Sequence, residues 1–285
     1  MASLISVGQI LDHSLEHCRK HFKELLAITL WIVVASIPTV IGKILAPSGG
    51  DIALTGGDWL SFSFSLLGAI LVTVISIWAY ATLVLVVAEQ AAGKKTNLRH
   101  AYAQGWKLFW PYFLLTLLIT AIIIGLALIA VPGLILTFIG SSDNAAAFIS
   151  SVATPVFLIS VSVALFLLVK YSVLIAFAPY ILILEKKNPL EAVKGSLALV
   201  QGRWWATLLR FLLPKLLYLL VLFIVNYVVF AAIEILLAFL IETSTFLVLV
   251  VYTLSLFLSV FLSAIVTPLF IATDYYLYDS LRKTQ

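Results

Sequence analysis

The stretch EKKNPLEAVKGSLALVQGRWW, residues 185–205, decides how the chain is read. It lies between two long apolar runs and reads as a short surface helix feeding a membrane-spanning one. Asn188 is a good N-cap, Pro189 suits the first helical position, and Glu191 stands where a capping box requires its acidic residue. Leu190, Val193, Leu197 and Val200 recur at helical spacing on one face, while Glu191, Lys194, Ala198 and Gln201 share the opposite one. Gly202 can close the helix. Arg203, Trp204 and Trp205 are the cationic and aromatic types that favour a bilayer interface. The segment therefore reads as a helix lying on a membrane at the mouth of a span.

Composition agrees. Of 285 residues, 63% are apolar and 11% charged, and the mean hydropathy is +1.17. A soluble core could not hide that much apolar surface. Apolar runs of about 20 residues or more recur along the chain, each long enough to cross a hydrocarbon layer of roughly 30 Å. Basic residues sit beside these runs and form no folded basic domain, so nucleic acid is not an expected partner. Cys18 is the single cysteine, which excludes an intrachain disulfide and a cysteine-based metal cluster. No cleavable signal is expected, because Asp12, Glu16 and three histidines precede the first apolar run.

The surface-helix device occurs twice more upstream. Residues 6–22 open with the capping-box pair Ser6 and Gln9, stapled by Ile5 and Ile10. Val7, Leu11, Leu15, Cys18 and Phe22 form the apolar stripe, with Arg19 and Lys20 placed to meet headgroups. In the second, Leu98, Ala101, Tyr102, Gly105, Trp106 and Phe109 make the apolar face. Lys107 lies on the other side and Trp110 follows at the interface. Each helix precedes an outgoing span and its return. The spacing predicts six spans over about 25–44, 59–88, 113–135, 156–184, 205–241 and 246–272. Pro38 is expected to kink the first, Pro132-Gly133 to break or end the third, and Pro214 to divide or bend the fifth. Residues 46–58, 140–154 and 242–245 read as the connections on the far side.

The predicted fold is all-α: a polytopic membrane protein with six transmembrane helices and three amphipathic interfacial helices. Val7, Leu98 and Leu190 open their stripes at near-equal intervals. That spacing suggests three repeat units over 1–92, 93–185 and 186–285 within one membrane domain. The alternative is that any six-span protein places cationic helices where it re-enters the membrane. Nearly all Lys and Arg outside the spans fall in the N-terminal segment, residues 89–107, residues 185–203 and the tail. The opposite side has Lys43 with Asp51, Asp58, Asp143 and Glu242. By the positive-inside rule both termini and all three surface helices are cytoplasmic.

The run APYILILEKKNPLEAVKGSLALVQGRWW resembles the membrane domain attached to some bacterial glycerophosphodiester phosphodiesterases, and that domain's stand-alone six-span relatives of YciC-like type. The resemblance rests on Pro179 and Glu185, then Leu190, Ala192 and Ser196, then Gly202 with Trp204-Trp205. Pro132-Gly133 and the final Tyr276, Tyr278, Asp279 and Arg282 extend it to nearly the whole chain. It implies a bacterial inner-membrane domain of six helices, without a settled biochemical role. The phosphodiesterase's own catalytic domain, with its metal-binding Glu, Asp and His residues, has no counterpart in these residues.

Two constellations merit weighing. His13, His17 and His21 form a ridge beside the first stripe. Such a ridge can share a divalent metal, with Glu24 as oxygen ligand, or charge together as pH falls; a polar flank facing headgroups is the favoured reading. Lys170, Arg210, Lys215, Glu234 and Asp274 lie inside apolar runs, where each charge costs at least about 2.5–3.5 kcal/mol at a helix centre. Lys170 lies roughly 22 Å inside its predicted span at 1.5 Å per residue. Glu234 is its expected partner by elimination, and Arg210 and Lys215 enter where Asp274 returns. These charges either form a polar pathway or pin helices together, and pinning is favoured. The ridges Ser61-Ser65-Ala69-Thr73 and Ser255-Ser259-Ser263-Thr267 read as close helix contacts. No phosphate loop, zinc-protease motif or serine-hydrolase elbow occurs, so neither an enzyme nor a cofactor is expected. The expected role is a scaffold, assembly or envelope-homeostasis protein whose expected partners are membrane lipids, with self-association or another membrane protein as further candidates. The alternative is a small transporter or channel.

Overall fold

The computed structural model describes residues 4–45, 56–140, 147–240 and 245–284. Of the predicted connections, residues 46–55, 141–146 and 242–244 lie outside the described residues, whereas 147–154, read as part of a connection, are the first two turns of a helix that begins at Ala147. All described regular structure is helical. Six helical segments are long and apolar enough to cross a membrane: Phe22–Leu45, Trp59–Ala91, Leu98–Gly140, Ser151–Glu185, Trp204–Ala238 and Thr253–Lys283. The chain packs as two units, one of residues up to Phe109 with Leu209–Thr284, the other of Trp110–Leu208.

The first unit begins with α1 (Val7–Lys20), capped by Ser6 and Gln9 in the predicted reciprocal box. Then come α2 (Phe22–Ala35) and α3 (Ile37–Leu45). The break between them falls at Ser36, whose Oγ donates to Val33 O at 2.7 Å. Pro38 thus lies in the first turn of α3, where its missing N–H costs little. The long α4 (Gly56–Ala91) packs on both. Ser61 Oγ donates to Gly42 O at 2.8 Å, and a side chain at Gly68 would press on Thr39 Cα at 2.9 Å. The small-residue ridge of this span therefore sets a close helix contact. α4 ends where Gly93, at φ +70, lets Lys94 N reach Glu89 O at 3.0 Å. From α11 (Thr245–Lys283), Ile271, Leu277, Tyr278 and Leu281 join Trp78, Leu83, Val87, Leu25, Ile28 and Ile10 in the core. In α11, Ser263 and Thr267 donate to carbonyls of their own helix at 3.0 Å.

Two expectations about α1 and α5 need correction. The buried face of α1 is Ile10, Ser14, His17 and Cys18, whereas Leu15 and Phe22 of the predicted stripe are exposed. Burial follows partners as well as apolarity: Tyr218 Oη lies 2.7 Å from Ser14 Oγ, and that contact rotates the helix. The second surface helix is no separate element, because α5 (Leu98–Ala127) runs unbroken through Pro111. Its predicted face does pack. Ala101 and Gly105 are buried, Trp78 Nε1 donates to Tyr102 O at 3.2 Å, and Trp106 stacks on Trp78 at 5.6 Å.

In the second unit, a 3₁₀ turn at Leu128–Ala130 separates α5 from α6 (Val131–Gly140). The break thus precedes Pro132-Gly133. Gly133 lies against α7 (Ala147–Ile175), where a side chain would meet Phe157 Cα at 2.8 Å. The predicted fourth span is two helices, α7 and α8 (Ala178–Glu185), because Pro179 has no N–H to continue the ladder. α9 (Pro189–Val200) seats Ser196 in that break: its Oγ donates to Leu174 O at 2.6 Å and accepts from Phe177 N at 3.2 Å. Asn188 caps α9 through Glu191 N at 2.9 Å, as predicted. The packed face is Ala192, Val193, Ser196, Leu199 and Val200, while Leu190 of the predicted stripe is 62% exposed. The polar gap that Ser196 fills turns the helix away from its most apolar side. Gly202, at φ +79, then leads into α10 (Trp204–Leu240), which Pro214 does not divide. Membrane helices tolerate proline where other groups satisfy the freed carbonyl.

Candidate functional site

At the polar end of the first unit four helices meet around His17. Its ring is buried and both nitrogens are engaged: Nε2 lies 3.1 Å from Gln90 Oε1 and Nδ1 lies 3.1 Å from Tyr276 Oη. Gln90 Nε2 donates to Glu24 Oε2, so the amide oxygen faces His17 and must accept. His17 therefore carries its proton on Nε2 and receives one from the Tyr276 hydroxyl. His21 Nδ1 stands 3.4 Å from the same Glu24 oxygen. α1, α2, α4 and α11 are tied by one chain of bonds, bordering a cavity of about 200 Å³. Burial and the neighbouring His21 push the His17 pKa down to about 4. Within the histidine ridge, His17 is an internal strut, while His13 is exposed with its ring 5.4 Å from that of Tyr276. Among the described residues no three His, Cys, Asp or Glu side chains are placed to share a metal ion.

Of the charges within the apolar runs, Lys215 and Asp274 are brought together. The ammonium lies 2.8 Å from Oδ1 and donates to Oδ2 at 2.9 Å, over the Phe211 ring at 3.4 Å. Arg210 Nε donates to Ile5 O at 2.7 Å, and Ile5 N donates to Ser280 Oγ at 3.0 Å. The N-terminal segment is thereby tied to α10 and α11. No side-chain pattern foretold this, since a backbone carbonyl leaves no mark in the sequence.

The expected partners Lys170 and Glu234 fall in different units. Lys170 lies in the second unit and Glu234 in the first; each is exposed and lacks an ion partner among the described residues. Lys170 is close to the end of α7, and its carbonyl accepts from Trp204 Nε1 at 3.2 Å, level with the start of α10. Within the apolar segment Ser151–Glu185 it stands 15 residues before Glu185.

That contact shapes a cavity of about 590 Å³ in the second unit, bounded by Phe166, Lys170, Arg203, Trp204 and Trp205. The remaining predicted interface residues point outward: Arg19, Lys20, Trp106, Lys107, Trp110 and Trp205 are all exposed. The sequence marked Arg203, Trp204 and Trp205 singly; that Lys170 joins them depended on where α7 ends.

No protein-family model, curated protein or solved structure matches this chain. The resemblance to the six-span membrane domains rests on its short motifs alone.

Proposed function

We propose that this chain is a non-catalytic inner-membrane protein of bacterial type, acting through contacts with lipids or other membrane proteins in a scaffold, assembly or envelope-homeostasis role. In this reading both termini are cytoplasmic. α1, the start of α5 and α9 lie at the interface as the first elements of three repeating units. One observation carries the proposal: the most apolar windows of Leu98–Gly140 and Trp204–Ala238 are each only 6% buried. Side chains such as Phe223, Tyr227 and Ile235 on α10 are left outward. Apolar surface on that scale calls for lipid or a partner helix. The polar groups support the same view, since His17, Gln90, Lys215 and Asp274 are spent on bonds between helices.

The test is reconstitution into liposomes. Permeability to protons, potassium ions and small anions should equal that of protein-free vesicles. A flux abolished by Asp274→Asn would overturn the proposal in favour of the transporter reading, for which the Lys215–Asp274 pair is the supporting observation.

A further inference from the structure

We propose that the cavity between the end of α7 and the start of α10 binds the phosphate headgroup of an anionic phospholipid. This site rests on the lipid-contact reading above and gives it a place. Two cations, Lys170 and Arg203, border a cavity of about 590 Å³, and no acidic residue lines it. Lys170 is exposed and has no ion partner among the described residues, so its charge is available to an incoming anion. The side chain is a compact, strongly hydrated point charge suited to phosphate, and an arginine beside it adds planar, bidentate donation.

The geometry is held from within. Trp204 Nε1 donates to Lys170 O at 3.2 Å, fixing the ring against α7. Phe166 meets that ring at 6.5 Å and Trp205 meets it edge-on at 4.5 Å. Gly202 also lines the cavity, and a side chain there would find open space. Trp204, Trp205 and Ala206 of the first turn of α10 are among its lining residues, and the backbone dipole there favours negative charge.

The aromatic walls decide between a lipid and a free anion. Free phosphate needs donors and gains nothing from Phe166, Trp204 or the 68%-exposed Trp205. A phospholipid uses both halves: the cations take its phosphate, and the rings pack along its glycerol and upper acyl carbons, the depth at which indoles settle. Both flanking helices belong to apolar segments long enough to span a bilayer.

The experiment is native mass spectrometry of the full chain released from nanodiscs of mixed zwitterionic phosphatidylethanolamine and anionic phosphatidylglycerol. One phosphatidylglycerol should be retained per chain. Retention should weaken roughly fivefold for each charge removed in Lys170→Gln and Arg203→Gln. Lys170→Arg should keep it, Trp205→Ala should lower it with both charges intact, and Lys95→Gln should leave it unchanged. Melting temperatures within a degree or two of the parent would show that each variant is folded. Equal retention in the parent and the Lys170→Gln, Arg203→Gln double variant would overturn the site. So would a saturable, Lys170-dependent uptake of inorganic phosphate in purely zwitterionic discs, which would assign the cavity to the free anion. Neither outcome touches the liposome flux test, so a failed headgroup site and a failed non-transport reading remain separable.

Discussion

His17 donates from Nε2 to Gln90 Oε1 across 3.1 Å, joining α1 to α4 with a histidine that must stay neutral to accept from Tyr276. Its pKa near 4 lies below the ordinary value of 6.5 because burial penalises the imidazolium. The charged groups around it are Lys20, His13, His21, Glu16 and Glu24. The unfolded chain binds the proton first as pH falls. Stability is therefore complete above about pH 6.5 and declines between about 6.5 and 4, by at most ~3 kcal/mol. Thermal unfolding in detergent should show this slope, and His17→Gln should flatten it. An unchanged slope in the variant would remove His17 as its source.

Lys215 and Asp274 should behave as a buried pair. Lys215→Met alone leaves an unpaired carboxylate and should cost about 3–5 kcal/mol, with most of the loss recovered in Lys215→Met, Asp274→Asn. Lys170→Met and Glu234→Gln should each change stability by less than about 0.5 kcal/mol and show no coupling, since both side chains are exposed. A double-mutant cycle on each pair reads the difference; equal coupling energies would contradict this assignment.

Ser196→Ala should destabilise the second unit by about 1–3 kcal/mol, because it strands Leu174 O and Phe177 N in a buried gap. Ser196→Thr, which restores the hydroxyl, should recover part of the loss. If alanine proves neutral in denaturant unfolding, the break between α7 and α8 is satisfied by other means.

Orientation can be mapped by thiol labelling without first removing a cysteine. Cys18 is buried and its thiol is pushed up to about 12, which leaves little reactive thiolate. Single cysteines placed within 47–57 or 141–153 should react with an impermeant reagent from outside intact cells, and those within 90–96 or near Thr284 should not. The opposite pattern would invert the topology, and a mixed one would end the six-span arrangement.

Class and span number were legible in the residues alone, because a run of some 20 apolar side chains has few destinations besides a bilayer. Helix starts were legible for the same local reason: the Ser6–Gln9 box and the Asn188 cap depend only on residues within one turn. What only the tertiary structure decided is which face each helix turns inward and where a span breaks. α1 buries Ser14 and His17 in preference to Leu15 because Tyr218, Gln90 and Tyr276 await them from distant parts of the chain. α9 turns Ser196 inward because a proline elsewhere opened a gap in the α7–α8 ladder. Lys170 borders a cavity because Trp204, distant in sequence, donates to its carbonyl. Periodicity measures how apolar a face is, but buried donors and acceptors choose their positions by the partners that folding supplies, and those partners are not encoded nearby.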